Sequence, residues 1–168
     1  MPRIAIAYVR LIDRLCMRVG RFAMYLLYVM MAILLWSSVT KALNFPAIWT
    51  LEMAQFTLVA YYMLGAPWTL QMDTNVRMDL LYMRYSPKGQ ALWDAFTVLA
   101  LMFYLGVMLY GALDSTIYSF EVGERNPSAW RPYMWPLKSI ISVAFGLMLL
   151  QSISILIRDI ATLRGEKI

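Results

Sequence analysis

The side chains that could carry acid–base or ion-coupling chemistry are few and lie far apart. Glu52 stands where an uncharged apolar stretch begins, and Asp73, Asp79 and Asp94 fall between that stretch and the next. Converging carboxylates can hold a divalent cation or pass a proton, but the spacing of these three matches no metal-binding pattern. The chain has no histidine. That removes histidine-ligated zinc, bis-histidine haem and the usual general base near neutral pH. The one cysteine, Cys16, can form neither an internal disulfide nor a thiolate cluster, and reads as a small packing residue. No phosphate-binding loop or glycine-rich nucleotide fingerprint occurs. No cofactor, no metal and no enzymatic activity are expected.

The elements that hold these residues are hydrophobic rods. Of 168 residues, 61% are hydrophobic and only 15% charged, and the mean hydropathy is +0.60. A soluble domain is less apolar and more charged, so the chain reads as an all-α integral membrane protein, one membrane domain over 1–168. Four windows lack any charge: 22–40, 53–72, 95–113 and 139–157, of 19, 20, 19 and 19 residues. At about 1.5 Å rise per residue, each matches a hydrocarbon core of roughly 30 Å. Four transmembrane helices are expected there.

The segment 1–21 is interrupted by arginines and lacks the apolar core and cleavage site of a signal peptide. At helical period, Ile4, Tyr8, Leu11, Ile12, Leu15, Val19 and Phe22 share one face, and Arg3, Arg10, Arg14, Arg18 and Arg21 a neighbouring one. This predicts a separate amphipathic helix lying in the membrane interface, with Arg10, Arg14, Arg18 and Arg21 as anchors on lipid headgroups. A basic tail that only sets topology is the alternative. The net charge of +5 therefore points to anionic lipid and not to nucleic acid.

Orientation follows from the basic residues. Eleven lie in the N-terminal segment, the middle loop and the C-terminal tail, against four (Lys41, Arg125, Arg131 and Lys138) in the other two loops. Positive-inside places both termini in the cytoplasm. Trp49 and Trp135 fit the aromatic belt of the outer face. Thr50 is a candidate cap for the second helix. Glu52, in that helix's first turns, has three readings: a charge favoured by the helix dipole, an internal ion pair with Lys41, Arg131 or Lys138, or a partner contact. Pro67, inside the second span, predicts a kink near Met63.

The loop 73–94 reads as a short interfacial helix over Val76–Tyr85, then a new start at Ser86-Pro87, with serine as cap and proline in the first turn. The loop 114–138 carries three prolines, Pro127, Pro132 and Pro136, close to Trp130, Tyr133 and Trp135, and predicts an ordered cap. Inside the spans the strongest polar groups are Gln55, Thr57 and Gln151. Each is expected to make a helix–helix hydrogen bond.

Several segments together resemble the small, four-helix membrane subunit of tripartite ATP-independent periplasmic (TRAP) transporters. Trp49-Thr-Leu-Glu52 is similar to that family's Trp-x-x-Glu at the start of the second helix. Gly65-Ala-Pro67 falls where the family tends to have Gly-Ala. Asn75-Val-Arg-Met-Asp79-Leu-Leu is similar to its His-x-x-x-Asp-Leu-Leu element, with asparagine at the histidine position, so no imidazole role carries over. Trp135-Pro-Leu-Lys138 and Gly146-Leu-Met-Leu-Leu-Gln151 resemble patterns of a branch associated with 2-oxo acids and related organic acids. The resemblance implies a bacterial inner-membrane scaffold that sits beside a large multi-span permease subunit. That subunit carries the substrate and sodium sites, and a periplasmic binding protein delivers the substrate.

On this reading the residues expected at the partner interface are Trp49, Glu52, Arg77 and Asp79, with Arg131 and Lys138 next to them. The spans themselves agree with a scaffold. Ion-coupled carriers place ionisable groups near mid-membrane at a cost of roughly 2.5–3.5 kcal/mol or more each, and these windows contain none. A self-contained homo-oligomeric exporter is the alternative, and would have to use Glu52 as its embedded carboxylate. A small integral-membrane enzyme is a third class, disfavoured by the missing histidine.

Overall fold

A computed structural model describes residues 3–45, 47–72 and 87–163 of the chain. They form four helices: α1 Arg3–Ala42, α2 Trp49–Gln71, α3 Pro87–Val122 and α4 Trp135–Leu163. Among the described residues the only extended pairing is an isolated antiparallel bridge between Arg125 and Tyr133. By length and composition α1, α3 and α4 can each cross a membrane, with candidate spans Ala5–Ala42, Phe96–Val122 and Trp135–Ala161. The second helix is not one of them. Its window is uncharged, but Gln55, Thr57, Tyr61, Tyr62, Trp68 and Thr69 dilute its hydropathy.

The first helix departs from expectation. The N-terminal segment is not a separate interfacial helix: from Arg3 onward it and the first span are one unbroken helix of 40 residues, about 60 Å long. Packing explains the continuity. Val9, Ile12, Cys16, Val19, Ala23, Leu26, Met30, Ile33, Ser37 and Thr40 are all buried or half-buried. Their spacing alternates between three and four residues, the period of a helix laid along other helices. The buried face differs by about one position from the expected one, so Leu11, Leu15 and Phe22 are exposed, at 66%, 40% and 58%.

The third helix begins at Pro87, as the Ser-Pro signal predicts. Its inward positions, Val98, Met102, Leu105, Leu109, Ala112, Thr116 and Ser119, keep the same alternation and are buried or half-buried. The segment Val76–Tyr85 lies outside the described residues.

The helices pack as α1 on α2, α2 on α4 and α4 on α3, with a shorter contact between α1 and α4. Among the described residues α3 has no extended contact with α1 or α2. The arrangement is an open row with a crossing strut, the N-terminal half of α1. Where α1 meets α2, Gly20 is required by close approach: a Cβ there would lie 2.5 Å from the Trp68 Cβ. Pro67, next to that contact, is buried within α2, which runs helical from Trp49 to Gln71.

Candidate functional site

The residues with most chemical potential gather at three places between helices. The first joins the N-terminal half of α1 to the last turns of α4. Gln151, Ser154 and Arg158 stand three and four residues apart and therefore share one face of α4. Asp13 meets them. Its Oδ1 accepts from Gln151 Nε2 at 3.1 Å and from Ser154 Oγ at 3.4 Å, and its Oδ2 accepts from Arg158 Nη2. One turn earlier, the Tyr8 hydroxyl donates to the Leu150 carbonyl at 3.2 Å. Cys16, Gln151, Ser152 and Ser154 are fully buried around this node, while Arg158 keeps 38% of its side chain exposed.

The node satisfies most of its own charge. A carboxylate taken from water costs several kcal/mol unless paired and hydrogen-bonded, and Asp13 has both kinds of partner. One acceptor is left over: the buried Gln151 Oε1 has no hydrogen-bond partner among the described residues. The sequence reading missed Asp13. The signal was present, since Asp13 is the only acidic residue before Glu52 and sits among Arg10, Arg14 and Arg18. Gln151 does make the interhelical bond expected of it, whereas Thr57 bonds its own helix at Met53 and Gln55 is exposed.

The second place is the start of α2. Thr50 lies inside the helix and caps nothing: the N-cap position is Ile48, without a side-chain bond. The Thr50 hydroxyl instead donates to the Ala47 carbonyl at 2.8 Å and lies 3.1 Å from Ser37 Oγ of α1. Beside it Glu52 is only 6% exposed, and its Oε2 is buried with no partner among the described residues. The expected internal ion pair is therefore not formed. Lys41 and Arg131 are exposed, and Lys138 is engaged elsewhere. Among the described residues the helix dipole is what remains to favour a charged Glu52. Trp49, one turn back, is 39% exposed.

The third place is the connection between α3 and α4, an ordered cap as the sequence predicts. Gly123, at φ +62°, ends α3 in the left-handed region that favours glycine. The Met134 amide donates to the Glu124 carbonyl at 3.0 Å and the Asn126 amide to the Pro132 carbonyl at 3.0 Å. Arg125 stacks 4.3 Å from the centre of the Tyr133 ring. Lys138, in the first turn of α4, pairs with Glu124, and its ammonium holds the Glu124 carboxyl below the usual carboxylate range. Trp135 opens α4 and meets Phe120 edge to face at 6.0 Å. Below the cap, Thr116 and Ser142 join α3 to α4 through their hydroxyls, 2.9 Å apart.

Of the residues expected at a partner surface, the structure thus buries Glu52, half-exposes Trp49, exposes Arg131 and pairs Lys138 internally. Arg77 and Asp79 lie outside the described residues. Arg10, Arg14, Arg18 and Arg21 are all exposed on α1. The arrangement ties helices to one another, and among the described residues it brings no set of acid and base groups around an open cleft.

Comparison with known proteins agrees with this picture. Residues 30–162 match the family model described as tripartite ATP-independent periplasmic transporters, DctQ component. No curated protein matches. The match spans most of the chain, and the chain belongs to that family: it is a component of a membrane transporter and not an enzyme.

Proposed function

We propose that this DctQ-family chain is the accessory, non-carrying subunit of a sodium-coupled secondary transporter that imports organic acids, dicarboxylates or 2-oxo acids among them. It works beside a large multi-span permease subunit and a periplasmic substrate-binding protein. It sits in the bacterial inner membrane as four spans, α2 included, with both termini in the cytoplasm. Trp49, Glu52, Arg77, Asp79 and Arg131 face the partner proteins.

The observation that supports this reading is the state of the ionisable groups. Asp13 is taken up by Arg158, Gln151 and Ser154, and Glu124 by Lys138. A coupling carboxylate must bind and release an ion during each cycle, and groups spent on holding helices together are poorly suited to that. The test is affinity purification of the tagged chain from native membrane, followed by reconstitution. A large multi-span protein should co-purify, and solute accumulation should require both chains and a sodium gradient.

A second reading keeps one specific observation in its favour. Glu52 Oε2 is buried without a partner among the described residues, as an embedded carboxylate of a self-contained exporter would be. Accumulation or export by the chain reconstituted alone would establish that reading and remove the first.

A further inference from the structure

We infer that the N-terminal half of α1 is an anionic-lipid-binding edge, in which Arg10, Arg14 and Arg18 hold headgroup phosphates at the depth of the last turns of α4. Three observations carry this. First, the arginines are spaced four residues apart, so they form one stripe, and all three are exposed with no acidic partner among the described residues. Second, at 100° per residue this stripe lies opposite Val9, Ile12 and Cys16, which are 2%, 5% and 0% exposed against the rest of the protein. The arginine face therefore cannot turn inward.

Third, the exposed strip beside the arginines is apolar. Leu11 and Leu15 project from it. A face meant for water would not place leucines there, whereas the boundary between acyl chains and headgroups matches both strips at once. Depth is set by the Asp13–Arg158 pair, which fixes this part of α1 against the point where the uncharged window of α4 ends. Guanidinium groups at that level meet phosphates in bidentate geometry. The inference rests on this chain alone and stands whether or not it assembles with a transporter.

The experiment uses the full-length protein, delipidated in detergent and offered phosphatidylglycerol or phosphatidylcholine, with bound lipid counted by native mass spectrometry. Each arginine near an anionic surface contributes on the order of fivefold in partitioning. The wild type should therefore prefer phosphatidylglycerol by roughly tenfold or more. Arg10→Gln/Arg14→Gln/Arg18→Gln should lose that preference at unchanged helix content, and the corresponding triple lysine variant should keep most of it. Inorganic phosphate should not displace the lipid. Equal retention of the two lipids by the wild type, an unchanged preference in the glutamine variant, or displacement by inorganic phosphate would overturn the inference. Should the triple variant fail to fold, Arg14→Gln alone decides: a partial loss of preference supports the site, and no loss removes it.

Discussion

Asp13 and Arg158 stand 145 residues apart in the chain and form an ion pair that binds the N-terminal half of α1 to the end of α4. Gln151 and Ser154 complete the shell around the carboxylate. Asp13→Ala removes the acceptor and leaves two buried donors and a part-exposed guanidinium behind. Discounted for the exposure of Arg158, the loss is about 1–3 kcal/mol. Thermal unfolding of the purified chain should shift down by several degrees. Asp13→Ala/Arg158→Ala should cost less than the sum of the single changes. Full additivity would show that the pair is not coupled.

Glu52 predicts opposite effects on two measurements. A buried carboxylate oxygen without a partner is costly, so Glu52→Gln, which keeps shape and removes charge, should raise the thermal midpoint of the isolated chain. If a cationic group of the large subunit completes the site, the same change should lower the yield of co-purified complex and the uptake rate. A variant that is neither more stable alone nor weaker in the complex would count against both the burial and the role.

Gly20 is a steric prediction. Gly20→Val places branched carbons where the Trp68 side chain already sits, and overpacking of this kind costs typically 1–3 kcal/mol. The α1–α2 contact should open, read as faster proteolysis of the folded protein. Trp68→Ala in the same chain should relieve only part of the defect, because it removes the ring but keeps the Cβ that lies closest to position 20, whereas Trp68→Gly removes both.

The cap responds to acid in a definite direction. Glu124 has its folded pKa lowered, chiefly by Lys138. Its contribution is therefore fully present above the unfolded value, about 4.3, and is lost as pH falls through the lower folded value. Tryptophan emission from the cap, Trp130 and Trp135, should be constant from neutral pH down to that range and change below it. Glu124→Gln should remove the pH-dependent step and shift the neutral-pH emission toward the acid form.

The sequence made some of this legible and hid the rest for identifiable reasons. Long uncharged windows announce apolar helices, and Ser86-Pro87 marks a helix start because proline's fixed φ and missing N–H suit a first turn. The cap was legible from clustered proline and tryptophan. The continuity of α1 was hidden by its arginines, which look like an interruption when counted as composition. They disturb nothing when placed on a helix, since the buried positions from Val9 to Thr40 step around them. Asp13 was hidden for a related reason: its partners belong to α4, and no local pattern within residues 1–21 mentions Gln151 or Arg158. In the second helix absence of charge and strong hydrophobicity part company: Tyr61, Tyr62 and Gln55 leave an uncharged window that is less apolar than those of the other three helices.

Among the described residues α3 leans on α4 without extended contact to α1 or α2, while α1, α2 and α4 all touch one another. The third rod is an outrigger on a tripod, and its outer flank, with Phe96, Phe103, Tyr110 and Ile117 exposed, is left for hydrocarbon or for another polypeptide to cover.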